Sequence, residues 1–269
     1  MIRARTPLAL LAVALLFAAC AEPERAAPVP PDAVAVTPEP VPTDSAAVAI
    51  IERARRVHGA DVLDRAVVGF SFRGASFTAE RDGDRFVYAR TWTDSAGVVR
   101  DTLGNDGFGR TVNGTPVALR KADALAAEGA VNSVVYFALL PYPLADAAVQ
   151  PRLVGVDTLG GEAYDLVEVT FRPEGGGRDY QDRFVYWIHR DRSTVDYLAY
   201  SYEVSGGGAR FREAYNPRTV GGVRFVDYRN YSAEPLEPSL EGMGRMFEAD
   251  SLDLLSEIVL DDVRVRPLP

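Results

Sequence analysis

The chain alternates apolar and polar residues in many short segments, which is the pattern of half-buried β-strands. Turn signals such as Asp82-Gly83 and Asn113-Gly114 separate neighbouring segments. Closely spaced hairpins pair antiparallel, because parallel strands need long crossover connections. The pattern predicts strands over residues 67–73, 76–81, 85–93, 98–103, 109–112, 152–157, 163–172, 183–190, 195–204, 209–218, 223–231 and 257–265.

Two longer segments carry the spacing of α-helices instead. The first is capped by Asp44 or Ser45 and ends at Gly59. Its apolar side consists of Ala47, Ile50, Ile51, Ala54 and Val57. The second covers residues 121–140 and is apolar on every side, so we expect it to be buried on more than one face. A short helical patch is predicted at residues 250–256.

Together these elements predict an α+β fold that is mainly antiparallel β. We expect a curved sheet or half-open barrel of about a dozen strands wrapped around helices, since curvature and partial closure protect sheet edges. Residues 45–269 are expected to form this domain.

The first 44 residues have a different character. Residues 1–19 combine two arginines with a short apolar run, which is typical of a signal peptide and too short for a membrane span. They lead to Cys20, in a string (L-L-F-A-A-C) that resembles the lipobox of bacterial lipoproteins, whose cysteine is lipidated. Residues 20–44 are rich in proline and predict an extended tether. We therefore expect attachment to a membrane through an N-terminal lipid, in the cell envelope and on the periplasmic side of the outer membrane.

Composition narrows the function further. The formal net charge of −9 argues against nucleic acid as a partner, because phosphate binding needs a basic face. One cysteine and two histidines exclude disulfides within the chain and cysteine- or histidine-rich metal sites. No cofactor is predicted.

Aromatic residues concentrate in residues 180–231, which hold twelve of the chain's 26. The strand at 195–204 has no plainly polar face, so we expect it to be covered on both sides. Two interpretations stay open: ordinary cross-strand packing, or a pocket for an amphipathic hydrophobic molecule whose polar end meets arginines or tyrosine hydroxyls. The candidate ligand residues are Tyr136, Phe137, Leu140, Tyr186, Trp187, Tyr200, Tyr202, Arg210, Arg212 and Tyr215.

Several strings resemble those of a bacterial lipoprotein family of unknown function, DUF6503. They are N-S-V-V-Y-F-A-L-L-P, G-G-G-R-D-Y-Q-D-R-F-V-Y-W-I, V-D-Y-L-A-Y-S-Y, R-F-R-E-A-Y-N-P-R and F-V-D-Y-R-N-Y, in this order within residues 58–265. The resemblance implies no catalytic residues, since none are known for the family. The layout also resembles lipoprotein carriers of the LolA and LolB type, which implies an unclosed barrel that holds acyl chains.

Candidate catalytic groups are few. Asp179 and Asp182 form a weak candidate metal pair, but two carboxylates fall short of the six to eight oxygens that calcium takes. Lys121, the only lysine, is expected to be solvated, and His58 is expected to be structural. The leading hypothesis is a non-enzymatic lipoprotein that binds or carries a lipid or other hydrophobic ligand. Alternatives are a scaffold of an envelope complex and, third, a hydrolase or lyase that uses Asp179, Asp182 and His189.

Overall fold

Two short helices open the part of the chain that the computed structural model describes, which is residues 44–177, 179–203, 207–232 and 239–269. Helix α1 (Ser45–Val57) is capped by Asp44, whose Oδ1 accepts hydrogen bonds from the backbone N–H groups of Ala46 and Ala47 at 3.0 and 3.1 Å. Its buried residues match the predicted apolar side, except that Val57, in the last turn, is 49% exposed. Gly59 then leads into α2 (Ala60–Leu63).

Sheet 1 contains the first six strands and the last one. The last strand is β14 (Asp261–Pro267), and the hydrogen-bonded order is β14-β1-β2-β3-β4-β5-β6, with every neighbouring pair antiparallel. The first six strands are β1 (Arg65–Phe72), β2 (Ala75–Asp82), β3 (Arg85–Asp94), β4 (Gly97–Gly104), β5 (Gly107–Val112) and β6 (Thr115–Val117).

Sheet 2 contains the remaining strands, again all antiparallel, in the order β13-β12-β11-β10-β9-β8-β7. A 3-10 helix (Tyr142–Ala145) precedes it, and a second one (Leu240–Gly242) with helix α4 (Met243–Glu248) follows β12. The strands are β7 (Val149–Leu159), β8 (Glu162–Phe171), β9 (Arg183–His189), β10 (Val195–Tyr202), β11 (Gly208–Val220), β12 (Val223–Ser232) and β13 (Asp253–Ile258).

The chain passes from sheet 2 to sheet 1 between β13 and β14 (Asp261–Pro267). Leu260, at this crossover, is buried. Its N–H donates to Asp227 Oδ1 at 3.0 Å, and its carbonyl accepts from Arg218 Nη2 at 2.6 Å. Asp227 is 1% exposed and also pairs with Arg218 at 3.0 Å, so a buried ionic network holds the junction of the two sheets.

Helix α3 (Lys121–Ala138) packs against both sheets. Val135 and Leu139, at its carboxyl end, join the apolar cluster of sheet 1. Tyr136 and Phe137 join the cluster of sheet 2, together with Leu140. At its carboxyl end the helix therefore needs apolar residues on the two sides that meet the sheets, as the sequence predicted, whereas Asn132 and Ser133 are exposed.

The expected fold class is confirmed: the sheets are curved, antiparallel and not closed into a barrel. Two details of the prediction were wrong. The single strand at residues 257–265 is two strands in different sheets. The helix predicted at residues 250–256 lies earlier, as α4, because Asp250 takes a left-handed conformation (φ +52°) that ends it, and the next leucines belong to β13. Short β6, which contains Pro116, was not predicted.

No helix in the described ranges combines the length and the apolar character needed to cross a lipid bilayer.

Candidate functional site

Sheet 2 is covered on both faces, and the face toward α1 and α3 holds most of the predicted ligand residues. Alternation along β9 places Phe184, Tyr186 and Ile188 on this face, which we call the inner face. Val185 and Trp187 point to the opposite, outer face, where α4 packs. Strand β10 alternates in the same way, with Leu198 in the inner cluster and Ala199 in the outer one. The expectation that residues 195–204 are covered on both sides is therefore confirmed for their described part.

The rings of α3 occupy the hollow of the inner face. Tyr136 lies 6.0 Å from Phe184, centroid to centroid, and Phe137 lies 5.4 Å from Tyr200. The hydroxyls of Tyr136 and Tyr186 are 3.2 Å apart. Burial raises the pKa of both phenols, so both stay protonated and hydrogen-bonded at neutral pH. In this structure the rings of α3 therefore pack the inner face, as the packing interpretation predicts.

A single arginine forms the polar end of this aromatic cluster. Arg212 is 8% exposed, and its guanidinium lies 3.7 Å from the ring centroid of Phe137 and 5.1 Å from that of Tyr200. Its Nη2 donates to the Tyr200 hydroxyl at 2.9 Å. Its Nε donates to Asn230 Oδ1 at 3.4 Å. Among the described residues no carboxylate pairs with it, so ring faces, one phenol and one amide oxygen surround this buried charge.

The other predicted ligand residues are divided between the two faces. Leu140 belongs to the inner cluster, and Arg210 lies 5.2 Å from the Tyr202 ring at the end of β10. Trp187 lies on the outer face, where its Nε1 donates to Asp157 at 3.0 Å. Tyr215 alternates with outer-face residues of β11 and lies beneath Arg229, 4.6 Å from the guanidinium. A single pocket on the inner face therefore cannot contain both Trp187 and Tyr215, which lie on the outer face.

Phe184 is the inner-face residue that the sequence analysis missed. Its ring contacts five other aromatic rings, including both rings of α3. The available signal was its alternation with Tyr186 in β9, which places both on the same face of the sheet.

The candidate acids do not come together with His189. Asp182 precedes β9 and His189 ends it, about 20 Å apart at the usual rise per residue. Burial, with the nearby charge of Asp179, raises the pKa of Asp182 to about 6. His189 is buried; its Nε2 lies 2.9 Å from Glu162, and its Nδ1 accepts two backbone N–H groups. Within the described ranges, no group of three or more potential ligands is placed to hold a metal ion.

The remaining candidates occupy separate positions. Lys121 is exposed at the start of α3. His58 is buried beside the β9–β10 hairpin, where its Nε2 accepts the Val195 N–H at 3.3 Å. Burial, helped by the charge of Arg224, lowers the pKa of His58 to about 4. Cys20 and the tether lie outside the described residues.

Comparison with solved structures finds similar folds at low sequence identity. The LolA superfamily protein NE2245 from Nitrosomonas europaea aligns over 83% of this chain and 94% of its own, with 12% identity and a TM-score of 0.50. A DUF1329 family protein from Desulfovibrio piger aligns over 81% and 92%, with 12% identity and a TM-score of 0.49. The first likeness supports a LolA-like fold and nothing beyond the fold.

Comparison with curated proteins gives no match. The match to a family is direct, however, and covers most of the chain, residues 41–259. The chain therefore belongs to DUF6503, a family of unknown function.

Proposed function

We propose that this protein carries a lipid or another amphipathic hydrophobic molecule on the inner face of sheet 2, and that α3 occupies the site when no ligand is bound. The observation that carries the proposal is Arg212, a buried cation at the end of an aromatic hollow, without a carboxylate partner in the described part of the chain. Residues 45–269 form the proposed carrier domain.

The surroundings of Arg212 indicate the chemistry of such a ligand. Buried charges in proteins are usually paired, because an uncompensated charge is costly to desolvate. An acidic or strongly accepting head group would supply the missing partner. An apolar chain would take the place of the Tyr136 and Phe137 rings, which requires α3 to move away from the sheet.

Because α3 and the ligand would compete for the same space, the apparent affinity depends on how firmly α3 is held. Phe137 contacts Phe184 and Tyr200, at 6.3 and 5.4 Å between centroids. Two aromatic pairs together contribute about 1–3 kcal/mol. Loss of these two ring contacts should favour the state in which α3 has moved away from sheet 2. We therefore expect Phe137→Ala to bind ligand about tenfold more tightly than the natural chain.

The test is equilibrium binding of a fluorescent fatty acid, anthroyloxy-stearate, with displacement by unlabelled oleate. Phe247→Ala is the matched control, since its ring packs on the outer face against Phe211 at 5.1 Å. We expect Arg212→Gln to weaken binding, while Arg229→Gln, beside outer-face Tyr215, leaves it unchanged. Equal affinities for Phe137→Ala and Phe247→Ala, or binding that oleate does not displace, would refute the proposal.

We further propose that Cys20 is acylated, so that residues 20–44 tether the domain to the outer membrane on its periplasmic side. Because Cys20 is the only cysteine, one substitution tests this. Metabolic labelling with an alkyne analogue of palmitate should mark the natural chain in a Gram-negative host and fail to mark Cys20→Ser. Equal labelling of the two chains would contradict the proposed anchor.

A further inference from the structure

The ladder between β10 and β11 begins at Tyr197 and Glu213, so the first two residues of β10, next to the β9–β10 hairpin, lie outside it. The pairing of β10 with β9 shifts between Val195 and Tyr197, and that of β11 with β12 shifts between Tyr215 and Arg218. Pro217, inside the second irregularity, has no N–H for a ladder. A cavity of about 430 Å³ lies at this end of the β10–β11 ladder, within the usual range of about 300–1,000 Å³ for small-molecule sites.

The cavity has no residue in common with the candidate ligand residues beside α3. Its wall comes from the β7–β8 turn, the β9–β10 hairpin, β11 and β12. The polar and aromatic residues that line it are Tyr164, Arg192, Thr194, Asp196, Tyr197 and Arg224.

The charges in the wall are balanced. Arg192 lies 3.0 Å from Asp196 and 3.7 Å from Glu162, and Arg224 lies 3.8 Å from Asp196. Two guanidinium groups therefore face two carboxylates. A ligand with a net charge would meet one repulsive pair for each attractive one, so the wall favours a neutral molecule that both donates and accepts hydrogen bonds.

Two buried polar groups in the wall have unused hydrogen-bonding capacity. Thr194 is 7% exposed, and its Oγ1 has no hydrogen-bond partner in the described ranges. The Nε–H of Arg224, which can only donate, is also buried and has no hydrogen-bond partner in the described ranges. Buried groups of this kind are normally satisfied by protein, water or ligand. A hydroxyl group suits both positions, because it accepts from a guanidinium and can either donate to or accept from a threonine.

The wall also supplies apolar surface. Tyr197 and Ala214, both half-buried, supply it. The Tyr164 ring meets that of Tyr197 edge to face with centroids 5.6 Å apart, and Tyr164 and Leu159, 2% and 1% exposed, belong to the core that supports this wall. A sugar ring presents C–H groups that pack on such surfaces, together with hydroxyls for charged and hydroxylated side chains. We propose that this cavity binds a neutral saccharide, independently of the lipid site beside α3.

Saturation-transfer NMR on the full-length chain tests this, in a polyoxyethylene detergent so that no sugar detergent competes. The probes are glucose, maltose, N-acetylglucosamine and its β-1,4 disaccharide, with methyl phosphate and glutamate as charged comparisons whose C–H protons the method detects. We expect transfer to at least one saccharide and none to methyl phosphate or glutamate. Absence of transfer to every saccharide, or binding of only the charged molecules, overturns the proposal.

Two variants locate the binding. Thr194→Val removes a hydroxyl that has no partner in the described structure, so we expect an unchanged thermal midpoint but about fivefold weaker binding of the saccharide. Asp196→Asn should weaken binding by about tenfold or more. Asp106→Asn, in the exposed β4–β5 turn, is the matched control and should bind like the natural chain. If the natural chain and the three variants all bind the saccharide with equal affinity, the assignment of the site to this cavity is wrong.

The lipid site gives a separate readout. Phe137→Ala should keep its saccharide affinity, and Thr194→Val should keep its affinity for the fluorescent fatty acid. Failure of one proposal therefore leaves the other intact.

Discussion

His58 should make folding depend on pH in a defined window. The side chain is 4% exposed, and its Nε2 accepts the Val195 N–H, which requires an unprotonated nitrogen. Burial is the main cause that lowers its pKa to about 4, the charge of Arg224 acts in the same direction, and that of Asp196 opposes them. A proton on His58 would therefore break a buried hydrogen bond and place a second cation beside Arg224.

The size of the effect follows from the two pKa values. The unfolded chain binds this proton with a pKa of 6.5 and the folded chain with a pKa of about 4. Since one pKa unit corresponds to about 1.4 kcal/mol, His58 contributes about 3 kcal/mol to the free energy of unfolding above pH 6.5. Between pH 6.5 and 4 the unfolded chain binds more protons, so this contribution is lost as the pH falls through that window.

Replacement of His58 by Gln isolates the effect, because the amide oxygen can still accept the Val195 N–H. Urea unfolding, followed by tryptophan fluorescence at several pH values from 7 to 4, gives the free energy of both proteins. Asp182 also makes stability depend on pH, because its raised pKa of about 6 favours the folded state below about pH 4 and this effect is lost as the pH rises through 6. Its contribution to the free energy of unfolding is the same in the natural chain and in His58→Gln, so it cancels in their difference.

We expect the difference in stability between natural chain and His58→Gln to shrink by about 3 kcal/mol on acidification from pH 7 to 4. With only two histidines, the imidazole resonance that vanishes in the variant belongs to His58. A difference that does not vary with pH, or a folded-state titration of this resonance above pH 6, would refute the reasoning.

Two further substitutions test the junctions of the fold. Asp227→Ala removes the 3.0 Å acceptor of the Arg218 guanidinium, whose side chain is 25% exposed, and of the buried Leu260 N–H. It should cost about 1–3 kcal/mol in chemical denaturation, whereas a loss below about 0.5 kcal/mol would mean that the network does not hold the sheets. Gly59 has φ +87°, and a Cβ there would lie 2.4 Å from the Gly222 carbonyl oxygen. Gly59→Ala should therefore lose at least about 1–3 kcal/mol in thermal unfolding, while Gly109→Ala, at an ordinary φ with open space, changes little.

Local pattern was enough to predict most of the strands. Turn residues and alternation are local properties, and they placed β1 to β5 and β7 to β12 within a few residues of their observed bounds. The helix α1 was predicted for the same reason, since its Asp44 cap and its apolar side are both visible in the sequence.

Partition of the strands between two sheets was not predictable in this way. Residues 253–258 and 261–267 look like one continuous segment, but Leu260 is buried at the crossover and its N–H is held by Asp227, 33 residues earlier in the chain. Contacts of this range depend on the assembled sheet and leave no local periodicity. For the same reason the faces of Trp187 and Tyr215 were not separated, since each face is defined by what packs on it.

The two apolar sides at the carboxyl end of α3 are the feature that links the fold to the proposed function. A helix that only covered one sheet would need one apolar side, but α3 contacts the clusters of both sheets. The contacts that it makes with sheet 2 are aromatic and surround a buried arginine, so they can be replaced by a molecule with an apolar chain and an accepting head group. An apolar residue of similar volume would often stabilise a core equally well, because a buried cation is costly to desolvate even where ring faces, a phenol and an amide oxygen surround it. The proposed ligand would give Arg212 the accepting partner that none of the described carboxylates supplies, and the proposal therefore depends on this residue.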